Sequence, residues 1–258
     1  MSEVVVEVEQ GIATLTLNRA DAGNALNFPT LCKLREVVRE ISCRRDIRVV
    51  VLTGAGEKFF CAGADLKERK TMSERQVREF LMTIRDTFTE ISELPQPVIG
   101  VMNGYAFGGG LELALSCDMR IVESHVQLGL TETSLGIIPG AGGTQRLARL
   151  IGSSKAKELI FTARRLTSAE ALDCGIANYV EQSQTGMEKA LELASQMCVN
   201  APLALAQAKF AIDRGLETDV RTGIWVEAKA YETLLPTEDR LEGLRAFAEK
   251  RKPNYQGK

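Results

Sequence analysis

Apolar positions in the first hundred residues change between two spacings. Residues 4–8 and 12–17 are rich in β-branched side chains and are separated by Glu9-Gln10-Gly11, which predicts a β-hairpin. Residues 30–43 place Leu31, Leu34 and Val38 at helical spacing, with charged residues between them. Residues 49–52 form a short, fully apolar run that ends at glycine, which is typical of a parallel strand buried on both faces.

The order of strand, Gly/Ala turn and helix start then recurs. Residues 49–52 lead to the turn at 60–66, residues 98–101 to the turn at 108–111, and residues 126–130 to the turn at 139–144. Between the first two strands, residues 73–93 have a helical pattern. The recurrence predicts an α/β protein built from stacked ββα or βα turns, with ligands at the ends where the helices begin.

The pattern changes near residue 187. Four helical stretches follow without an intervening strand, at residues 189–199, 201–214, 220–234 and 237–251. We therefore divide the chain into a core that carries the active site, residues 1–190, and a C-terminal helical region, residues 191–258. The apolar residues of that region, Trp225 among them, are expected to cover the core or a neighbouring subunit.

Composition narrows the functional class. The 258 residues have a formal net charge of −2, which gives no overall attraction for nucleic acid or anionic lipid. No apolar stretch approaches the roughly 20 residues of a membrane span. The six cysteines are widely spaced, so we expect free, buried thiols and no metal site. The N-terminal residues lack a signal-peptide pattern, so we expect a cytoplasmic protein, although a processed organellar form would look much the same.

Three consecutive glycines, Gly108 to Gly110, run directly into a helix predicted at residues 111–116. Unpaired amides and the positive end of the helix dipole would meet there, beside the carboxylate of Glu112. This arrangement fits an oxyanion hole with an acid/base group, but it also fits a simple tight turn. The glycine-rich runs that begin at Gly54 and at Gly140 have neither dinucleotide nor P-loop spacing. His125 is the only histidine and is expected to be structural or at the surface.

Several separated motifs together resemble the crotonase, or enoyl-CoA hydratase/isomerase, family. They are Phe60-Cys61-Ala62-Gly63-Ala64-Asp65-Leu66-Lys67, the Gly-Gly-Gly-Leu-Glu run at 108–112, the segment 130–146 with Pro139-Gly140-Ala141-Gly142-Gly143, and the ending at 239–251. The resemblance covers essentially the whole chain. It implies a crotonase-like spiral of ββα turns with a C-terminal helical region, and trimers that pair into hexamers.

The resemblance also implies a chemistry. The substrate would be an acyl-CoA thioester, coenzyme A would be part of the substrate, and no separate cofactor or metal is expected. The amides of Ala64 and Gly109 would form the oxyanion hole, with Glu112 and Glu132 as the catalytic acid/base pair. Further substrate contacts are implied at Ala62, Ala64, Asp65, Leu66, Lys67, Gly109, Phe247 and Lys250.

Both carboxylates together favour an enoyl-CoA hydratase, because hydration must take one proton from water and supply another to the α-carbon. Relatives that act as isomerases commonly use one carboxylate, at the position of Glu132. Glu132 would chiefly exchange the α-carbon proton, and Glu112 would orient and deprotonate the water. Isomerase activity stays open as an alternative.

The closest likeness is to the branch that contains 3-methylglutaconyl-CoA hydratase, carried by residues 61–69, 156–161 and 241–244. The resemblance thus offers two pathways, fatty acid β-oxidation and leucine breakdown. That branch also includes RNA binding through a row of lysines on the first helix. The aligned face here has Phe28, Cys32 and Glu36 instead, so we do not expect nucleic-acid binding.

Overall fold

A computed structural model describes residues 2–258 and places ten strands in two sheets. The strands are β1 (Val4–Glu9), β2 (Ile12–Leu17), β3 (Val49–Gly54), β4 (Phe59–Cys61), β5 (Val98–Met102), β6 (Tyr105–Phe107), β7 (Met119–Glu123), β8 (Gln127–Gly129), β9 (Leu166–Thr167) and β10 (Tyr179–Glu181). The helices are α1 (Phe28–Ser42), α2 (Leu66–Arg69), α3 (Glu74–Ser92), α4 (Gly109–Ala114), α5 (Gly143–Ile151), α6 (Ser153–Thr162), α7 (Ser168–Asp173), α8 (Gly186–Cys198), α9 (Pro202–Gly215), α10 (Val220–Leu234) and α11 (Glu238–Ala248). Two short 3-10 helices lie at Ala20–Ala22 and Glu132–Leu135.

The larger sheet has the order β1-β2-β3-β5-β7-β10. β1 and β2 form the predicted antiparallel hairpin, in which Val4 lies opposite Leu17, and the remaining pairs are parallel. The smaller sheet, β4-β6-β8-β9, collects the short strands that follow the larger ones. Three successive turns of the chain, β3-β4, β5-β6 and β7-β8, each add one strand to each sheet before a helix or helical turn, which confirms the predicted ββα spiral.

Helices α1 and α3 cover the core through one face each. Leu31, Leu34 and Val38 of α1 are completely buried, as their spacing predicts. The side chain of Asn27 caps α1 by accepting a hydrogen bond from the amide of Thr30, so the helix begins two residues before the predicted start. α3 begins with a capping box between Ser73 and Gln76. These caps fix where the two helices begin.

The helix after the glycine triplet begins earlier than predicted. α4 runs from Gly109 to Ala114, whereas the sequence pattern suggested residues 111–116. The reason is Gly108, whose φ of +52° and ψ of −122° turn the chain abruptly from β6 into the helix. The amide of Gly109 therefore lies at the helix N-terminus.

The four C-terminal helical stretches are confirmed as α8 to α11. α8 packs on the larger sheet through Ala190, Leu193 and Ala194, so residues 190 and 191 lie inside one helix. The division of the chain at that point remains a prediction. α9 has no buried residue, and Trp225 of α10 is 65% exposed. Among residues 2–258, no helix is long and apolar enough to cross a membrane.

Candidate active site

A cavity of about 2170 Å³ opens where α4 and α5 begin. Six of the predicted site residues line it: Ala62, Ala64, Leu66, Gly109, Glu112 and Glu132. Its apolar wall is formed by side chains of α3, of the segment after Glu132 and of α9, such as Ile84, Ile138 and Phe210. The fold therefore brings the two carboxylates and the two predicted amide donors to one cavity.

The amides of Ala64 and Gly109 lie close together. A Cβ atom placed on Gly109 would lie 3.5 Å from the nitrogen of Ala64. Neither amide donates a hydrogen bond to another group in residues 2–258. The two neighbours of Ala64 are paired with Leu26: the carbonyl oxygen of Gly63 accepts from its amide, and the amide of Asp65 donates to its carbonyl oxygen. Two unpaired amides at one wall of a cavity can hold an oxygen that carries negative charge.

Close packing of two turns creates this arrangement. A Cβ atom on Gly110 would lie 2.0 Å from the carbonyl oxygen of Cys61, so only glycine lets α4 approach the turn that contains Ala64. The glycine triplet thus has two separate uses. Gly108 redirects the chain, and Gly110 allows the helix to pack against the turn.

The carboxylate of Glu112 is buried and held in place. One oxygen, Oε1, accepts hydrogen bonds from the amides of Ala141 and Gly143, both at 2.8 Å. Burial raises the pKa of Glu112, while these two amides and the positive charge of Arg146 act in the opposite direction. The second oxygen makes no contact with those amides and is available to a ligand.

Glu132 lies in a different environment. It is 9% exposed and begins the 3-10 helix Glu132–Leu135, and neither of its carboxylate oxygens has a hydrogen-bond partner within residues 2–258. Burial, followed by the negative charge of Glu112, raises the pKa of Glu132 to about 7. A carboxyl group with such a pKa can give or take a proton near neutral pH.

The other predicted contacts lie outside the cavity lining. The side chain of Asp65 is already engaged: it pairs with Arg19 at 3.1 Å and caps α2 through the amides of Lys67 and Glu68. Lys67 is exposed beside this cap. Phe247 is 87% exposed near the end of α11, and Lys250 follows it at the surface. The single chain does not bring Phe247 and Lys250 to the two carboxylates, so their substrate contacts remain predictions.

Some cavity residues were not singled out from the sequence. Arg146 lies in the segment that resembles the family, but nothing in its spacing shows that it reaches back to the carbonyl of Ala141. Lys209 of α9 pairs with Asp118 at 2.8 Å across a sequence separation of 91 residues. Such contacts depend on tertiary packing, and one sequence carries no local signal for them.

The histidine and cysteines lie away from this chemistry. The Nε2 atom of His125 is 3.4 Å from the carbonyl oxygen of Glu57, and the ring does not line the cavity. All six cysteines are free, but Cys32 and Cys43 are exposed, so the expectation that all are buried is wrong. Cys32 lies on the exposed face of α1, and Cys43 directly follows the helix, where a small thiol can face solvent at little cost. Among residues 2–258, no three His, Cys, Asp or Glu side chains cluster as metal ligands.

Comparison with known proteins identifies relatives along the whole chain. Residues 7–258 match the family model described as Enoyl-CoA hydratase/isomerase. The chain is 54% identical over 246 residues to the putative enoyl-CoA hydratase/isomerase YngF of Bacillus subtilis, a match that covers 95% of each protein. It is 46% identical to the mitochondrial methylglutaconyl-CoA hydratase of Homo sapiens, over 97% of this chain and 75% of that protein. The crystal structure of an enoyl-CoA hydratase from Bacillus anthracis, 49% identical, superposes with a TM-score of 0.97 over 99% of this chain and 100% of that one.

Proposed function

Because the chain belongs to the enoyl-CoA hydratase/isomerase family, we propose that it catalyses the reversible addition of water to a 2-enoyl-CoA thioester. The observation that supports hydration is the pair of buried carboxylates at one cavity, one held by amides and the other without a partner. Hydration needs two proton transfers at different atoms, and two carboxyl groups can divide them.

In the proposed mechanism, Glu112 is ionised and Glu132 carries a proton when the enoyl thioester binds. The free oxygen of Glu112 takes a proton from water as the water oxygen bonds to the β-carbon. Glu132 then gives its proton to the α-carbon. The product is a 3-hydroxyacyl-CoA, and the pair still holds one proton, now on Glu112, so no net proton enters or leaves.

The amides of Ala64 and Gly109 are assigned to the thioester oxygen. Addition of water to the β-carbon moves negative charge onto that oxygen before the α-carbon is protonated. Two unpaired amides placed beforehand at this point stabilise the enolate-like state, and removal of one such donor typically costs roughly 3–4 kcal/mol. Coenzyme A enters only as part of the substrate in this proposal.

Isomerisation of the double bond is the second candidate. It requires one group that removes a proton from one carbon and returns it to another, and Glu132 alone has both oxygens free to do so. The two amides bonded to Glu112 favour the hydratase, since they orient a second carboxylate that an isomerase would not need.

The acyl group is the least defined part of the substrate. Similarity to methylglutaconyl-CoA hydratase supports a branched, acidic enoyl-CoA from leucine breakdown as one candidate, and straight-chain enoyl-CoA from fatty acid β-oxidation is the other. Comparing kcat/KM for crotonyl-, medium-chain, long-chain and 3-methylglutaconyl-CoA would separate them, since one substrate should dominate.

Assembly and location are part of the same proposal. The exposed apolar residues of α9, α10 and α11 support a homotrimer or a hexamer of paired trimers, because large apolar side chains at a surface mark contact sites. In that assembly Lys67, Phe247 and Lys250 would contact coenzyme A. Binding of RNA and a location other than the cytoplasm stay as alternatives, and an RNA role would require selective binding by a protein inert toward all enoyl-CoA substrates.

The direct test is isosteric replacement of each carboxylate. Glu112→Gln and Glu132→Gln should each lower kcat for crotonyl-CoA hydration by about 10²- to 10⁴-fold, because each removes a proton-transfer group. Glu123→Gln is the matched control, since Glu123 is a buried carboxylate that does not line the cavity, and it should hydrate at close to the wild-type rate. Unchanged hydration in Glu132→Gln would reject the mechanism.

A further inference from the structure

The turn that binds Glu112 is itself held by two arginines from different helices. Arg85 of α3 donates from Nε to the carbonyl oxygen of Gly140 at 2.7 Å. Arg146 of α5 donates to the carbonyl oxygen of Ala141 at 3.0 Å, and its other terminal nitrogen lies 3.5 Å from the hydroxyl of Ser92. Within residues 2–258, no carboxylate forms an ion pair with either guanidinium. Apart from the contact with Ser92, their hydrogen bonds are directed to the main chain of this turn.

One peptide group connects Arg85 to Glu112. The carbonyl oxygen of Gly140 accepts from Arg85, and the amide of the same peptide, on Ala141, donates to Oε1 of Glu112. A positive donor on the oxygen side polarises the peptide and strengthens its N–H as a donor. The second amide, on Gly143, stands at the N-terminus of α5 and is oriented by that helix.

Arg146 crosses the turn at its tightest point. A Cβ atom on Gly142 would lie 2.2 Å from a terminal nitrogen of Arg146, so the guanidinium rests directly on a glycine with φ of +105°. The side chain is largely removed from solvent, and burial lowers the pKa of Arg146. Burial of a cation that has no ion-paired carboxylate costs desolvation free energy. The hydrogen bond to the turn and the attraction to the charge of Glu112 must offset that cost.

We propose that Arg146, together with Arg85, is a positioning residue that locks the 140–143 turn and thereby fixes and keeps ionised the carboxylate of Glu112. This assignment rests on the proposed hydratase function. It gives the arginine of the Gly-Gly-Thr-Gln-Arg segment, residues 142–146, a role that acts through main-chain amides and through charge, without contact with the substrate.

The effect of Arg146 on Glu112 can be distinguished from the effects of the other titratable groups around that carboxylate. Of the elements packed on α4, α5 carries Arg146 and Arg149, β4 carries Cys61, β6 carries Tyr105, and β5 has no titratable side chain. Glu132 is the neighbouring carboxyl group, and the Cys117 thiol lies beyond the end of α4. Burial raises the pKa of Cys61 and of Cys117 to about 12, so both thiols are neutral. Arg146 is therefore the cation whose loss Glu112 should sense.

The experiment measures Glu112 directly as well as turnover. Arg146→Gln should lower kcat about tenfold with KM within about twofold, because the lost interaction orients the water-activating group. The carboxyl carbon of Glu112, labelled with ¹³C and assigned by its absence in Glu112→Gln, should titrate about one pH unit higher. The apparent pKa on the acid side of the kcat/KM profile should rise as well.

Conservative and control variants distinguish positioning from folding. Arg146→Lys keeps the charge, so the titration of Glu112 should return most of the way to its wild-type position. Arg85→Gln should have a smaller effect than Arg146→Gln because Arg85 is exposed. Arg48 is the matched control, since it is half-buried, bonds only to the carbonyls of Cys198 and Tyr255, and lies away from the cavity. Arg48→Gln should leave the Glu112 titration unchanged.

The outcomes separate this proposal from the proposed function. An unshifted Glu112 titration in Arg146→Gln, or an equal shift in Arg48→Gln, would overturn the positioning role even if activity fell. A shifted titration in a protein that hydrates no enoyl-CoA would uphold the positioning of Glu112 and reject the hydratase.

Discussion

The surroundings of Glu112 and of Glu132 differ in nearly every respect except burial. Glu112 lies inside a helix and has one oxygen bound by two amides of a turn that follows 29 to 31 residues later. Glu132 lies on a short 3-10 turn, and both its oxygens lack partners within the described residues. Two glutamates at one cavity are therefore held in opposite ways.

This difference shows how one residue type can take two roles. Amide donors stabilise an ionised carboxylate, so the Glu112 side of the pair favours a fixed base. Burial without donors favours the protonated form, so the Glu132 side holds a proton that it can release. The main chain, rather than the choice of amino acid, produces the asymmetry.

Among changes to the backbone, the largest effect is expected at Gly108, which lies against Glu132 and turns the chain into α4. Gly108→Ala would place a Cβ atom 3.2 Å from Oε1 of Glu132, at a backbone conformation that is strained for alanine. Since even a small misplacement of a reacting group is costly, kcat for hydration should fall about 100-fold. Steady-state kinetics with crotonyl-CoA measures this.

A second glycine provides the control for an alanine at positive φ close to Glu132. Gly136, at the end of the same 3-10 turn, has φ of +75°, and a Cβ atom there would meet nothing within 4 Å. Gly136→Ala should cost about 1 kcal/mol of unfolding free energy with little loss of activity. An equal loss of kcat in both variants would show that strain, and not contact with Glu132, is responsible.

A smaller effect is expected from pH. The hydratase mechanism needs one proton on the carboxylate pair in either direction of the reaction, so hydration and dehydration should share one pH dependence. As pH rises through about 7, Glu132 loses its proton and the pair becomes doubly ionised. The kcat/KM value should then fall about tenfold per pH unit in both directions.

The same profile distinguishes the isomerase. A single carboxylate that removes a proton must be ionised in the free enzyme, so isomerisation should increase as pH rises through about 7. Activity that climbs across this range would therefore contradict the hydratase assignment, and measurements between pH 5 and 9 would decide.

Much of the fold could be predicted from residue periodicity. The hairpin, α1, α3 and β3 all have apolar positions with a clear period, because each buries one face or both. The smaller sheet was predicted only in part: the strand expected at residues 126–130 contains β8, but β4 and β6 have three residues each, too few to show a period. Its formation depends on pairing between distant segments.

The site shows the same limit. Gly109, Glu112, Ala64 and Glu132 could be predicted to lie together because glycine-rich turns and family motifs mark them. The amides that hold Glu112 belong to Ala141 and Gly143. Since every residue except proline has an amide, the residue type does not show which amides will bind a carboxylate. Asp65 is a different case: a local signal existed, since an aspartate directly before a helix is a common N-cap, and its side chain is used that way.

The division of roles between the two carboxylates is tested most directly by α-hydrogen exchange on a saturated thioester. Butyryl-CoA cannot be hydrated, so deuterium uptake at its α-carbon in D₂O reports only the group that handles that proton. We expect Glu132→Gln to abolish exchange and Glu112→Gln largely to retain it, as followed by mass spectrometry. Exchange that persists in Glu132→Gln and disappears in Glu112→Gln would contradict it.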